Sequence, residues 1–437
     1  MSSTVASNKT KLATLAWSLW GWAEHVYPTI MQTFIFATYI TSGLFGKNKD
    51  LLSSQLGLAT GIAGLLVAIF APVLGQRADA SGRRKRSLLT NSALLILIMF
   101  ASYFVMPDPK FFLFGLVLYA IGSVIQEVAF VNYYAMLKQV STPSTMARVS
   151  GFAWALGYVG GIVLLLISLV GFVLPAHPWF GVTTDGSQNI RIIFAISALW
   201  MLIFTIPMVI WMPELPANPE AEKVSFFGSY RVLYGKLKGI RKTAPDLLRF
   251  LIASAIFRDG LAGVFQFGAV LGSVAFGFST QQVIFYGIGA SIVAGIGATI
   301  GGFVDDKLGT KRTIQVALSG VVIAGLSVFL FAGAGQITYW VGGLSLSLFV
   351  GPAQASARTF LARITPARRE GEFFGLYQTT GEAASFVAPF LWWLAITLAS
   401  AAGVVNATIY GVLGIVLMLV IGIALMARVH PNPAVAE

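Results

Sequence analysis

Gly75–Arg86 reads GQRADASGRRKR, and Gly302–Arg312 reads GFVDDKLGTKR. Both begin with glycine, place an aspartate at Asp79 and Asp306, and follow it with Gly82 and Gly309. A basic pair closes each pattern, Arg84–Lys85 after Arg83 in the first copy and Lys311–Arg312 in the second. Each stretch follows one long apolar run and precedes another, so each reads as a short charged hinge between two membrane helices. One hinge alone means little, because Asp, Gly and basic residues are common in loops. Two with matched spacing, about half a chain apart, point to a duplicated membrane protein.

The apolar runs agree. A helix needs about 20 residues to cross the hydrocarbon, and runs of that size fall near 12–40, 52–75, 87–106, 111–137, 149–174 and 191–212. A second set falls near 248–275, 280–303, 314–334, 337–363, 373–400 and 404–428. The expected fold is an all-α membrane protein of about twelve transmembrane helices in two pseudo-symmetric halves. The halves are expected at 1–212 and 248–437, joined by a linker at 213–247. Smaller echoes recur at nearly the same offset: Thr142–Pro143 with Thr365–Pro366, and Gly151 and Gly157 with Gly375 and Gly381. Glycines there let neighbouring helices approach closely.

Composition limits the alternatives. Hydrophobic residues make up 57% of the chain and charged residues 11%, with a mean hydropathy of +0.80. Soluble domains carry about 25% charged residues, too many polar groups short here to cover a water-facing surface. The absence of cysteine rules out disulfides, and three histidines give little material for a metal cluster. The net charge of +12 is not a nucleic-acid footprint, because most of the basic residues fall on one side of the expected helices, the positive-inside pattern. That side is expected to be cytoplasmic and to carry both termini, in an inner (plasma) membrane. The polar start MSSTVASNKTK has no cleavable signal pattern.

The linker opens as PELPANP and then becomes amphipathic. Phe226, Phe227, Tyr230, Leu233, Tyr234, Leu237 and Ile240 recur at helical steps among Lys223, Arg231, Lys236, Lys238, Arg241 and Lys242. Such a helix lies on an anionic leaflet or packs beneath the hinges.

The duplicated hinge resembles the signature loop of the major facilitator superfamily. A narrower resemblance, to the vacuolar amino-acid effluxer-like branch, rests on WSLWGWAEHVY at 17–27, FRDG at 257–260, SGFAWALGYVGG at 150–161, and GPAQASAR at 351–358 followed by EFFGLY at 372–377. The sequence departs from that pattern at Gly21, Glu24 and His25, where the branch has Asp, Asn and Ser. The resemblance implies the major facilitator fold and export of small solutes such as amino acids. It also implies that the Asp79 hinge closes one face against the start of helix eleven, and that Asp306 does the same against helix five.

Charged residues inside the apolar runs carry the expected work. Glu24, Glu127, Asp259 and Glu382 face only Arg258 and Arg358 as possible cations, and a buried carboxylate without a cation takes up a proton or finds a cationic ligand. Glu24 is the first choice: it sits mid-run, and Pro28 cannot donate back to its carbonyl, so the helix should break there, as at transporter binding sites. His25 follows it, and histidine changes charge near neutrality, although successive helical residues point about 100° apart. Arg258 is expected to reach an acid on another helix or a substrate carboxylate. Tyr27, Gln126, Glu127, Asn132, Tyr158, Gln354, Tyr377 and Glu382 complete the expected pathway, as path-lining groups or as interhelical hydrogen bonds. Asn406-Ala-Thr408 matches a glycosylation sequon, a pattern that also arises by chance.

No phosphate-cradling loop, His-Glu-x-x-His or nucleophile elbow occurs. The expectation is therefore a non-enzymatic secondary transporter, proton-coupled and exporting, working by alternating access without a cofactor or metal. Its expected partners are a small-molecule substrate, protons and membrane lipid, not nucleic acid, and it is expected to be a monomer. A carrier for cationic or lipid-like substrates, or a non-transporting receptor or assembly factor on the same fold, are the alternatives.

Overall fold

A computed structural model describes residues 2–81, 83–142, 145–214, 226–365 and 370–430. Within these, the side chains at 2–10, 71–72, 74–81, 138, 147, 226–227, 229, 232, 236 and 370–372 fall outside the description. The described chain is helical, with no strand among the described residues.

The first helices are α1 (Ser2–Glu24), a π-helical segment at Tyr27–Phe34, and α2 (Phe36–Ile40). Next come α3 (Lys49–Ser81), α4 (Arg84–Ser102), α5 (Pro109–Ala135) and α6 (Leu137–Val140). α7 (Met146–Ser168) runs into a second π-helical segment at Leu169–Val173, and α8 (Gln188–Trp211) follows. The amphipathic α9 (Phe226–Thr243) precedes α10 (Pro245–Val274), α11 (Thr280–Leu308), α12 (Thr310–Leu330) and α13 (Gln336–Ile364). The chain closes with α14 (Glu370–Ala384), α15 (Val387–Ala401) and α16 (Gly411–Ala427). Among the described residues, eight helices are long and apolar enough to cross a membrane.

Local chemistry explains the punctuation. Asp108 caps α5 by accepting from the Lys110 N–H at 2.9 Å, with Pro109 at the first helical position. Ser279 and Gln282 form a capping box at α11, with bonds of 3.2 and 2.9 Å. Pro28 does interrupt the first run, which leaves α-helical geometry after Glu24. The run expected to be unbroken at 373–400 is broken at Ser385–Phe386, where Pro389 in the first turn of α15 has no N–H to offer the preceding helix.

The hinges are also more helical than expected. Gly75–Ser81 continues α3, and residues 302–308 continue α11, because neither stretch contains a proline and most of its residues tolerate a helix. In the second copy the turn shrinks to Gly309, whose φ of +80° a side chain would strain.

By contacts the chain forms two units, and each has its own core. The first comprises Met1–Ile40, Leu44–Gly46 and Phe70–Phe226; the second comprises Thr41–Gly43, Lys47–Ile69 and Phe227–Glu437. In the first, Trp17, Trp20, Leu88, Ala129, Tyr133 and Met208 pack together, with Trp17 stacked on Tyr133 at 4.2 Å. In the second, Trp392 stacks on Phe267 at 4.6 Å.

The first part of α3 belongs to the second unit, which the expected boundary at 212 did not foresee. Asp50 Oδ1 accepts from the Thr408 N–H at 2.8 Å and its hydroxyl at 2.6 Å, and Oδ2 accepts from the Ala407 N–H at 3.0 Å. Ser54 and Thr397 share a hydroxyl hydrogen bond of 2.9 Å. Gly64 lies so close to α15 that a Cβ would stand 2.7 Å from the Ser385 carbonyl oxygen. The amphipathic α9 is tied to the same helix: the Tyr230 hydroxyl donates to the Ile69 carbonyl.

Candidate functional site

The end of α1 creates the first polar cluster. Glu24 is 0% exposed; Gln126 Nε2, from α5, donates to its Oε1 at 2.7 Å. Its second oxygen, Oε2, has no hydrogen-bond partner and lies 3.6 Å from Nδ1 of His25. Successive helical residues point about 100° apart, yet the His25 ring reaches this oxygen from the turn that follows α1. The ring lies 4.9 Å from that of Tyr158 on α7. It also fills the space beside Gly157, where a Cβ would stand 2.7 Å from Nδ1.

Other candidates on this unit take structural places. Asn132 Nδ2 donates to Ser87 Oγ at 3.1 Å and to the Val128 carbonyl at 2.9 Å, joining α5 to α4. Tyr27 is buried with its hydroxyl against Gly122. Glu127 is half-buried on α5.

In the second unit, adjacent residues of α10 point to different neighbours. Arg258 Nη1 donates to the Tyr377 carbonyl at 2.8 Å and Nη2 to Gln378 Oε1 at 3.3 Å. Its guanidinium carbon lies 4.0 Å from the Tyr377 ring centroid. Gln378 Nε2 in turn donates to Glu382 Oε1 at 2.6 Å, one turn along α14. Arg258 therefore meets a carbonyl and an amide where an acid was one of the two expected partners. Asp259 Oδ2 accepts from the buried Ala388 N–H at 2.7 Å, capping α15 after the break. Gln354 is half-buried on α13.

The hinges proper put their basic residues on helix C-termini. Lys85 Nζ donates to the Val209 carbonyl near the end of α8 at 2.8 Å. Lys311 Nζ donates to the Ala427 and Val429 carbonyls at the end of α16, at 3.0 and 2.6 Å. A lysine of each hinge, at the start of α4 or α12, thus closes the end of α8 or α16, a favourable placement for a cation. Arg84 does the same for α5, donating to the Ala135 carbonyl at 2.7 Å; Arg83 is exposed. In the second copy the inward acid is Asp305, 3.8 Å from Arg363, while Asp306 is exposed. The side chain of Asp79 and the whole of Gly82 lie outside the described residues, as do Pro143 and Pro366.

The family model described as "Vacuole effluxer Atg22 like" matches residues 41–432. The chain belongs to this Atg22-like family. An uncharacterized MFS-type transporter, YxiO of Bacillus subtilis, is 25% identical over 424 residues, covering 95% of this chain and 94% of its own. Autophagy-related protein 22-2 of Aspergillus clavatus is 23% identical over 266 residues, covering 55% of this chain and 42% of its own. Among solved structures, a D-xylose-proton symporter aligns with a TM-score of 0.67 at 16% identity, covering 97% of this chain and 98% of that one. A bacterial homologue of the lysosomal transporter Spinster aligns at 0.61 and 14%, covering 96% and 94%. The major facilitator fold and the effluxer-like branch expected from the hinges and helix motifs are thereby shown.

One departure of this Atg22-like chain from the branch pattern has a steric cause. At Gly21, where the pattern has Asp, a Cβ would stand 2.7 Å from the Tyr133 hydroxyl, so an aspartate does not fit beside that tyrosine. Two structural residues were not foreseen. Gln378 lies one helical turn before Glu382, a spacing that pairs side chains on a helix, and Pro389 marks the break that Asp259 fills. The sequon at Asn406 is internally engaged: Asn406 Nδ2 donates to the Ala275 carbonyl at 3.1 Å, and Thr408 is 0% exposed.

Proposed function

We propose that this Atg22-like protein is a secondary active transporter that exports a small metabolite, such as an amino acid, by proton-coupled alternating access. The observation that carries the coupling is Glu24: a wholly buried carboxylate at a helix break, with one oxygen held by Gln126 and the other unbonded beside His25. A proton arriving there has two acceptors, Glu24 Oε2 and the imidazole, while Gln126 keeps its bond to Oε1 in either state. Such a carboxylate has lost its water and changes its interactions sharply when protonated. That change is what coupling requires.

In this reading the chain crosses the membrane twelve times: the spans Ser2–Ile40, Arg84–Ser102, Pro245–Val274 and Gln336–Ile364 join the eight apolar ones. The basic hinge side and both termini face the cytoplasm of a plasma-membrane protein acting as a monomer. Export is favoured by the family's description as effluxers, and proton coupling finds support in the fold shared with a proton symporter.

The test uses full-length protein in proteoliposomes containing a pH-sensitive dye, with a panel of amino acids and related metabolites supplied across an imposed pH gradient. Uphill solute movement with matching proton flux is expected in the wild type. Glu24→Gln should lose gradient-driven accumulation and keep solute exchange. Normal uphill transport by Glu24→Gln would remove Glu24 from the mechanism.

A further inference from the structure

Arg258 lies about halfway along α10, half-buried, within a segment read as membrane-spanning. A guanidinium has five N–H donors. Two of its nitrogens have acceptors, the Tyr377 carbonyl and Gln378 Oε1, and both acceptors are uncharged. Among the described residues no carboxylate oxygen lies within 4.0 Å of it. Asp259, its neighbour in sequence, is turned to the Ala388 N–H. Glu382 is separated from it by Gln378, whose Oε1 faces Arg258 and whose Nε2 faces Glu382.

Charges in the membrane interior are costly and ordinarily paired. Among the described residues none neutralises this one, while its position is prepared. The Tyr377 ring supports its face at 4.0 Å. Gly381 leaves room for it, since a Cβ there would stand 2.8 Å from Nη1. A lone, planar guanidinium with donors to spare matches a carboxylate, which it binds through two parallel hydrogen bonds.

We propose that Arg258, seated on Tyr377 and flanked by Gln378, is the anchor for a carboxylate of the transported solute. This rests on the transporter reading above and names the residues that would hold the solute's carboxylate. Gln378 is the positioning residue. Its amide holds the guanidinium on one side and Glu382 on the other, so the protein's own acid does not occupy the anchor.

The test is thermal unfolding of the purified full-length protein in detergent with acetate, L-leucine and succinate, each set against acetamide, L-leucinamide and succinamide. A carboxylate is expected to raise the melting temperature where its amide does not. Arg258→Gln should weaken that carboxylate by about 10- to 100-fold, the range for lost hydrogen bonds to a charged group. Gln378→Glu keeps the arginine and supplies it with an internal carboxylate; it should weaken the ligand similarly, whereas Arg258→Lys keeps part of the affinity. Equal stabilisation by the amides, stabilisation that survives both Arg258→Gln and Gln378→Glu, or no response to any carboxylate overturns the proposal. Glu24→Gln separates it from the coupling reading: that variant should bind the carboxylate normally, and normal uphill transport by it leaves the Arg258 result standing.

Discussion

His25 and Arg258 each press on a glycine of a neighbouring helix, yet their surroundings differ. The two glycines, Gly157 under His25 and Gly381 under Arg258, are a pair in the sequence echo. In the first half the basic ring meets a buried acid, Glu24, on its own chain segment. In the second the acid next door, Asp259, has turned to cap α15, and the arginine rests on a carbonyl, an amide and a ring. Under the proposed function Glu24 carries the coupling, and Asp259 holds the start of α15.

That contrast is broken most directly by exchanging what each acid loses. Glu24→Gln should eliminate gradient-driven accumulation and leave the melting temperature close to wild type, because Gln126 can still bond to an amide at that position. Asp259→Ala should do the reverse. It leaves the buried Ala388 N–H unpaired, which costs about 1–3 kcal/mol, so unfolding by thermal melt should move down while the variant that folds keeps its proton coupling. Should Asp259→Ala abolish coupling with an unchanged melt, the division of labour between the two acids is wrong.

The glycines sharpen the comparison at lower cost. Gly157→Ala pushes a methyl against an imidazole and within 3.1 Å of the Gly21 carbonyl, and overpacking of this kind costs about 1–3 kcal/mol. Gly381→Ala meets the far end of a flexible arginine, so its cost should stay under about 1 kcal/mol while carboxylate affinity falls. Melting curves of the pair, measured side by side, should rank Gly157→Ala as the less stable. The smallest effect expected is that of Ser54→Ala, which removes one hydroxyl bond to Thr397 and about 0.5–1 kcal/mol, with no change in coupling.

Much of this architecture was written in pattern. The spacing of apolar runs announced the helices, since lipid demands long uninterrupted runs. Pro28 correctly announced the break beside Glu24. What pattern could not convey was direction. Arg258 and Asp259 are both polar and adjacent, and only the break at Ser385–Phe386 determines that one turns toward α14 and the other caps α15. The hinge aspartates show the same limit: Asp305 and Asp306 are chemically alike, and the helical phase alone buries the first and exposes the second. The early part of α3 joined the second unit for reasons invisible along the chain, because its partners Thr397 and Thr408 come 343 and 358 residues later.

That separation has a consequence for how the protein is made. Chains lengthen at about 5–20 residues per second, so α3 enters the bilayer on the order of 20–70 s before the segments that satisfy Asp50, Ser54 and the face around Gly64 have been synthesised. Through that interval an acid and a bare glycine surface wait for a companion, dependent on lipid headgroups or the insertion machinery for shelter. A nascent chain halted before α15 should therefore leave α3 open to proteases that the finished protein resists.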